Sequence, residues 1–222
     1  MVRFAGILKK VMPLALIGAM ALASAAQASE VDGFRSARFG QKEKEVIAAA
    51  AKDLGVKADA IKTTKDDSLK VTVLSAKLPR FAPVETAATV NYVMGYQCNC
   101  LMQVSVSWDL PEGKDVESRK TAMRGVGALV GKFQAQKWGK DETVVNRLPG
   151  EAKEGEESTI IFFRGQNKDG GAITLAGAPV KMEKGKAGEG LVANIDNIKG
   201  VSLIYEKDVA KPDIYRVDVS GF

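Results

Sequence analysis

Two neighbouring runs of alternating residues constrain the fold of this chain more than any other feature. Apolar or aromatic side chains occupy every second position in residues 88–96, and again in residues 102–108. A period of two is typical of strands that bury one face. Residues 97–100 between the runs predict a hairpin connection, so Cys98 and Cys100 are expected at an exposed tip. The opposite face of this hairpin carries polar side chains, among them Asn91, Gln103, Ser105 and Ser107.

Helical periodicity appears twice. In residues 41–54 apolar side chains recur at helical spacing, and Gly55 follows as a helix-ending residue. A longer helix is predicted for residues 116–138, with Asp115 as its N-terminal cap. Further strands are predicted at residues 69–73, 159–164, 172–176, 201–205 and 214–219.

The order of a helix followed by three strands therefore occurs twice. It predicts an α+β fold of two helix-plus-three-strand units, in which the helices pack on one face of an antiparallel sheet and leave the other face free. The predicted division of the chain is a signal peptide at 1–28, a first unit at 29–112 that carries the Cys-Asn-Cys hairpin, and a second unit at 113–222.

Gly125, Gly127 and Gly131 lie within the second predicted helix. A glycine loop that binds phosphate needs a strand before it and a helix after it, and this stretch has no such context. Small residues that let the helix press closely on a sheet are the better interpretation.

Residues 1–28 have the three parts of a cleavable secretory signal peptide. Three cations precede an uncharged apolar run at residues 11–23, and Ala26 and Ala28 follow at the spacing that signal peptidase requires. The run is shorter than the roughly 20 apolar residues that span a bilayer. We therefore expect cleavage before Ser29, with residues 23–25 as the alternative site, a periplasmic location and no transmembrane segment in the mature chain.

Export also changes the charge of the protein. The whole chain has 32 Lys and Arg against 27 Asp and Glu, a formal net charge of +5. Three of those cations and none of those acids lie in the signal peptide, so the mature chain carries +2. A surface this close to neutral predicts that nucleic acid is not a partner.

The chain contains no histidine. This excludes serine and cysteine nucleophiles activated by histidine, histidine-ligated zinc and c-type haem attachment. Catalysis by carboxylates or lysine stays open in principle, but no pair of carboxylates can be placed together from the sequence. We expect a protein that is not an enzyme and that has no cofactor.

Cys98 and Cys100 are the chain's two cysteines. An oxidising compartment favours disulfides, but on an extended strand residues at this spacing have Cα atoms about 6.5 Å apart, near the outer limit for bridging. Three interpretations stay open: a local or intermolecular disulfide, free thiols, and redox or soft-metal chemistry such as Cu(I) binding, for which Met94 and Met102 lie nearby. An intermolecular bond would give a disulfide-linked homodimer.

Two stretches carry a resemblance to a known family. Residues 33–40, which run Gly-Phe-Arg-Ser-Ala-Arg-Phe-Gly before a helix with Val46, and the hairpin at residues 92–108 resemble exported bacterial domains of the group that includes the beta-lactamase inhibitor protein and the outer-membrane assembly lipoprotein BamE/SmpA. The resemblance covers about residues 33–137 and lacks the lipid-attachment cysteine of the lipoproteins. It implies a protein-binding module that uses an exposed sheet face, and it transfers no functional residue.

These observations lead to two functional hypotheses. The first is an exported, non-enzymatic binding module whose partner is an envelope protein and whose binding surface is the free sheet face. The second is a thiol-redox or copper-handling protein that uses Cys98 and Cys100. The sequence does not identify the ligand.

Overall fold

The structure is a computed structural model that describes residues 30–111, 115–138, 143–147, 153–185 and 191–216. The expected signal peptide and its cleavage site lie outside the described residues. The helices are α1 (Glu43–Leu54) and α2 (Val116–Gln134), with two 3₁₀ turns at Ala58–Ala60 and Ile195–Asn197. The strands are β1 (Gly33–Phe34), β2 (Ala37–Arg38), β3 (Lys62–Asp66), β4 (Val71–Phe81), β5 (Thr86–Met94), β6 (Leu101–Asp109), β7 (Thr143–Arg147), β8 (Glu157–Gln166), β9 (Ala172–Lys184), β10 (Leu191–Asn194) and β11 (Gly200–Glu206).

Nine of these strands form one sheet. Eight follow the order β3-β4-β5-β6-β11-β9-β8-β7, β10 pairs with β9, and every pair is antiparallel. Strands β1 and β2 form a separate two-stranded ribbon.

The prediction of two helix-plus-three-strand units is wrong. Strand β6 belongs to the first predicted unit and β11 to the second, yet they pair along seven residues, from Gly200 opposite Asp109 to Glu206 opposite Gln103. In a separate unit the outer edge of β6 would expose unpaired backbone groups, and β11 satisfies them. Most of the described chain is therefore antiparallel sheet with two helices. The predicted boundary between the units falls at residues 112–114, outside the described residues, and stays a prediction.

The predicted hairpin is present as β5 and β6. Its inward side chains are almost fully buried, among them Val90, Tyr92, Val104, Val106 and Trp108. Strand β5 ends at Met94 and β6 begins at Leu101, so the turn between them is longer than predicted.

The helix ends follow local capping chemistry. Helix α1 ends at Gly55, whose φ of 67° lies in the left-handed region that glycine adopts without strain. At the start of α2 the Asp115 carboxylate accepts a hydrogen bond from the Ser118 backbone N–H at 3.1 Å, as the sequence predicts. Helix α2 stops at Gln134, four residues before the predicted end, and the Trp138 indole N–H donates to the Phe133 carbonyl at 2.7 Å.

Both helices pack against the inward face of the sheet. Val46 and Ala50 of α1 are fully buried in the main core cluster. On α2, Phe133 stacks on Phe163 of β8 and meets Tyr205 of β11 edge-on. Helix α2 is thus held in place by β8 and β11, two strands that follow it in the chain.

The glycines of α2 differ in what they face. A Cβ at Gly125 would overlap the Pro83 carbonyl in the turn between β4 and β5, whereas a Cβ at Gly127 or Gly131 would meet nothing within 4 Å. Of these three glycines, only Gly125 is needed for close packing of α2. The helix packs there against the turn that contains Pro83, and the predicted contact was with the surface of a sheet.

We expect Gly125→Ala to lower the free energy of unfolding by about 1–3 kcal/mol, because the added methyl group forces α2 away from Pro83. Gly127→Ala is the matched control, and should be neutral or stabilising by up to about 1 kcal/mol because alanine is the better helix former. Denaturant unfolding of the three proteins measures both effects. Equal destabilisation by the two substitutions would show that the approach at Gly125 does not limit packing.

Candidate functional site

Cys98 and Cys100 form a disulfide bond within the chain. Their Cα atoms are 5.1 Å apart, closer than the about 6.5 Å of an extended strand. The difference comes from Asn99, whose φ of 47° lies in the left-handed region. Asparagine adopts this conformation more readily than most residues do, so the Cys-Asn-Cys sequence suits a disulfide across one turn. The bond uses both cysteines of the chain, so a disulfide-linked homodimer would require it to be exchanged.

The hairpin tip is less exposed than predicted. Cys100 is only 7% exposed and Cys98 is half-buried. The start of α1 covers one side, because the Lys42 ammonium donates to the Cys98 carbonyl at 2.7 Å and the Leu101 N–H donates to the Gln41 carbonyl at 2.9 Å.

The segment at residues 211–216 covers another side of the tip. The Asp213 carboxylate accepts hydrogen bonds from the backbone N–H groups of Gln97 at 3.0 Å and Cys98 at 2.9 Å. The Tyr96 N–H donates to the Asp213 carbonyl at 2.8 Å. Two successive N–H groups of the tip thus bind the Asp213 carboxylate, an arrangement that suits an anion, and the preceding N–H binds its backbone carbonyl. The predicted strand at residues 214–219 is absent in its described part, residues 214–216.

Glycine is required beside this carboxylate. A Cβ at Gly95 would overlap the Asp213 carboxylate oxygen, so any other residue would push the two segments apart. No pattern in the sequence singles out Asp213, which lies 115 residues from Cys98.

Two tyrosines and a lysine fix the same segment further along. Tyr215 meets Tyr96 edge-on with ring centroids 5.6 Å apart, and the Lys70 ammonium lies 3.8 Å from the Tyr215 ring centroid. The Tyr215 N–H also donates to the Leu69 carbonyl at 2.9 Å. These contacts hold the segment against Tyr96 of the hairpin tip and against the turn between β3 and β4.

A cavity of about 200 Å³ opens beside the disulfide. It is lined by Cys98, Cys100, Met102 and Gln103 of the hairpin together with side chains from the end of β11 and the segment that carries Asp213. The cavity therefore brings Gln103, predicted for the sheet face, together with both predicted cysteines. Asn91, Ser105 and Ser107 do not line it.

Met102 reaches this cavity because of a β-bulge. The register of β5 against β6 shifts where Val93 opposes Gln103 but Met94 opposes Leu101, which leaves Met102 as the extra residue. A bulge re-aims a side chain locally. Leu101 consequently lies in the core cluster, while Met102, although 8% exposed, does not belong to it. Met102 is thus buried, as its predicted place in the alternating row implies, but it lines the cavity and lies outside the main core cluster.

Glu206 lines the cavity from the end of β11. Burial raises the pKa of its carboxyl group above the ordinary value, and the nearby Arg164 guanidinium opposes this shift. The carboxyl group therefore keeps its proton to a higher pH than a solvated glutamate does.

The outward side of the sheet carries two separate hydrogen-bonded groups of polar side chains. The Ser75 hydroxyl donates to the Asn91 amide oxygen at 2.6 Å, the Asn91 amide nitrogen donates to the Ser105 hydroxyl at 3.4 Å, and the Ser107 and Ser202 hydroxyls lie 3.0 Å apart. We call this surface the polar face, defined by Ser75, Asn91, Gln103, Ser105, Ser107 and Ser202.

Sequence reasoning found four members of the polar face and missed Ser75 and Ser202. These two lie on β4 and β11, directly opposite Asn91 and Ser107. The alternation of β4 and β11 is visible in the sequence, but the sequence does not show which strands lie beside these two. All six side chains are half-buried.

Among the residues that the structure describes, no three histidine, cysteine, aspartate or glutamate side chains gather into a metal-binding group. Neither α1 nor α2 has the length and apolar character needed to cross a membrane.

Comparison of the chain with protein-family models, with curated proteins and with solved structures found no match. The resemblance to the beta-lactamase inhibitor protein and BamE/SmpA group stays a prediction.

We expect Asp213→Ala to lower the free energy of unfolding by about 1–3 kcal/mol, because it leaves the Gln97 and Cys98 N–H groups without their carboxylate acceptor. Asp213→Asn keeps one carbonyl acceptor and should cost less. Amide hydrogen exchange at Gln97 and Cys98 gives the local measurement, and both amides should exchange faster in the alanine variant. Unchanged exchange at these two amides would show that the segment does not protect the tip.

Proposed function

We propose that this protein is an exported, non-enzymatic binding module that holds an envelope protein on its polar face. The observation that carries the proposal is a pair of hydrogen-bonded polar groups, Ser75–Asn91–Ser105 on β4, β5 and β6 and Ser107–Ser202 on β6 and β11, on the side of the sheet away from both helices. Export and a periplasmic location, inferred from residues 1–28, set the compartment in which the partner is sought.

Order within the polar face supports a role in recognition. Ser75 and Ser105 each hydrogen-bond to Asn91, so three side chains are fixed before a partner arrives. Fixing side chains in advance lowers the entropy that binding must overcome. The strands beneath are rigid elements of a large sheet, which hold such a surface more accurately than loops do.

The chemistry of the polar face indicates the kind of partner. Its six members are hydroxyl and amide side chains, which donate and accept hydrogen bonds and carry no charge. Val93 and Glu206 lie opposite Gln103, and Ile204 lies opposite Ser105, on the same side of the sheet. Such a surface selects a partner by hydrogen bonding together with apolar contact, and a near-neutral mature chain adds little long-range attraction. A protein surface with its own backbone or amide groups suits this face better than a polyanion does.

The test is site-specific photo-crosslinking with the full chain in cells that export it. A photoreactive residue at Ser105 should give a discrete protein adduct, while the same residue at Ser118, an exposed serine on α2, should give none. Ser107→Arg, introduced beside the probe at Ser105, should abolish the adduct because it places a bulky cation on the binding surface.

Circular dichroism of each variant checks that the fold is kept. Adducts of equal yield from Ser105 and Ser118, or an adduct from Ser105 that persists beside Ser107→Arg, would refute binding at the polar face.

A second candidate function is thiol–disulfide exchange at Cys98 and Cys100. The specific observation in its favour is the unequal exposure of the two cysteine residues, since Cys98 is half-buried while Cys100 is 7% exposed. An incoming thiolate would attack the Cys98 sulfur, form a mixed disulfide there and release Cys100 as a thiolate. A second thiol on the reductant then frees Cys98 and leaves the reductant as a disulfide.

Two single variants test this second candidate. Cys98 in the Cys100→Ser protein should form a mixed disulfide with oxidised glutathione faster than Cys100 does in the Cys98→Ser protein, because access governs exchange. Mass spectrometry of the quenched reaction measures both rates. Equal rates, or a wild-type disulfide that a dithiol does not open in the folded protein, would reject exchange as a function.

A further inference from the structure

We propose that the reduced protein binds one Cu(I) ion through the sulfur atoms of Cys98, Cys100 and Met102. The proposal is independent of the polar face. It rests on the second candidate function only in requiring that the disulfide can be opened, and it specifies the ligand that the opened form takes.

The placement of the three sulfur side chains carries the inference. All three line the same cavity beside the hairpin tip. The two cysteine sulfurs are already bonded to each other, so their thiolates remain neighbours when that bond opens. Met102 joins them because the β-bulge removes it from the core cluster that holds Leu101 and Met94.

Met102 would be an ordinary core residue without the bulge. Thioether side chains commonly fill gaps in apolar cores, and Met94 does so at 2% exposure. The extra residue in β6 instead places Met102 in the lining of the cavity that both cysteines share. Bulges recur beside functional sites, where they re-aim a side chain, and a ligand of matching softness would account for this placement.

The set of ligands selects the metal. Thiolates and thioethers are soft donors, and together they favour Cu(I) over zinc, magnesium or calcium. A thiol or phosphine reductant supplies two electrons to the disulfide, which becomes two thiols. Binding of Cu(I) then displaces both thiol protons and forms two copper–thiolate bonds and one copper–thioether bond.

Charged side chains of both signs line the cavity. Two thiolates and one Cu(I) leave a single negative charge, and Lys207 and Lys211 lie in the same lining as counter-ions. The lining also contains three acidic side chains, of which Asp208 accepts from the backbone N–H groups of Ala210 and Lys211, and Asp213 accepts from the tip, while Glu206 is the third. The sulfur ligands therefore carry the proposal, and the surrounding charge does not.

The test is an anaerobic Cu(I) titration of the phosphine-reduced chain against a chromophoric Cu(I) chelator. Mass spectrometry first shows the gain of two hydrogens on reduction. We expect one Cu(I) per chain, no comparable binding by the oxidised protein, and loss of binding in Cys98→Ser and Cys100→Ser.

Met102→Leu and Met94→Leu form the decisive pair, because both remove a thioether from a buried site and only Met102 lines the cavity. We expect Met102→Leu to weaken Cu(I) binding by at least about tenfold, the size of effect seen when a metal site loses a supporting group. Met94→Leu should bind as the wild type does. X-ray absorption of the copper-loaded proteins should show three sulfur neighbours in wild type and two in Met102→Leu.

Three outcomes would overturn the proposal: a reduced wild type that does not bind Cu(I), equal affinities in the two leucine variants, and a disulfide that the phosphine leaves intact in the folded chain. Failure of exchange with glutathione, together with Cu(I) binding after phosphine reduction, would reject the exchange function and leave the copper site standing.

Discussion

The pairing of β6 with β11 determines how the rest of the molecule is arranged. It joins strands on either side of α2 into one sheet and places Ser202 beside Ser107 and Glu206 beside Gln103. The contact continues past the strand, since the Lys207 N–H donates to the Met102 carbonyl at 2.9 Å. The chain that leaves β11 therefore starts next to the hairpin tip. Both candidate sites require this pairing, because each combines side chains from the two strands or from the segments that follow them.

The hairpin tip shows how local conformations and distant contacts support each other. Asn99 in the left-handed region lets the disulfide close, and the closed turn directs the N–H groups of Gln97 and Cys98 toward Asp213. Gly95 leaves room for that carboxylate. Each of these features is satisfied only when the others are present, so the tip is ordered as a unit. This explains why cysteines at a hairpin turn, which are commonly exposed, are here largely covered.

Patterns of period two and local capping were enough to predict several parts of the fold. The structure contains the predicted hairpin and the predicted Asp115 cap, and it keeps Asn91, Ser105 and Ser107 out of the buried row. These features depend on residues that are close in sequence. The number of units was wrong because alternation shows that a strand buries one face without showing which strand lies beside it. Asp213 and Ser202 could not be predicted for the same reason: their roles depend on partners about a hundred residues away. The shift of Met102 was also hidden, since a bulge leaves no mark in a short alternating run.

A single extra residue in β6 separates the two kinds of chemistry at this end of the sheet. Beyond the bulge, Val104, Val106 and Trp108 keep the inward row and Gln103, Ser105 and Ser107 keep the polar row. Before it, Met102 and Cys100 face the cavity. Gln103 is the one residue of the polar face that also lines the cavity. The polar face offers hydrogen-bonding oxygen and nitrogen atoms, whereas the cavity offers sulfur. A protein partner and a soft metal ion would therefore bind different atoms, and occupancy of one site does not remove the donors of the other.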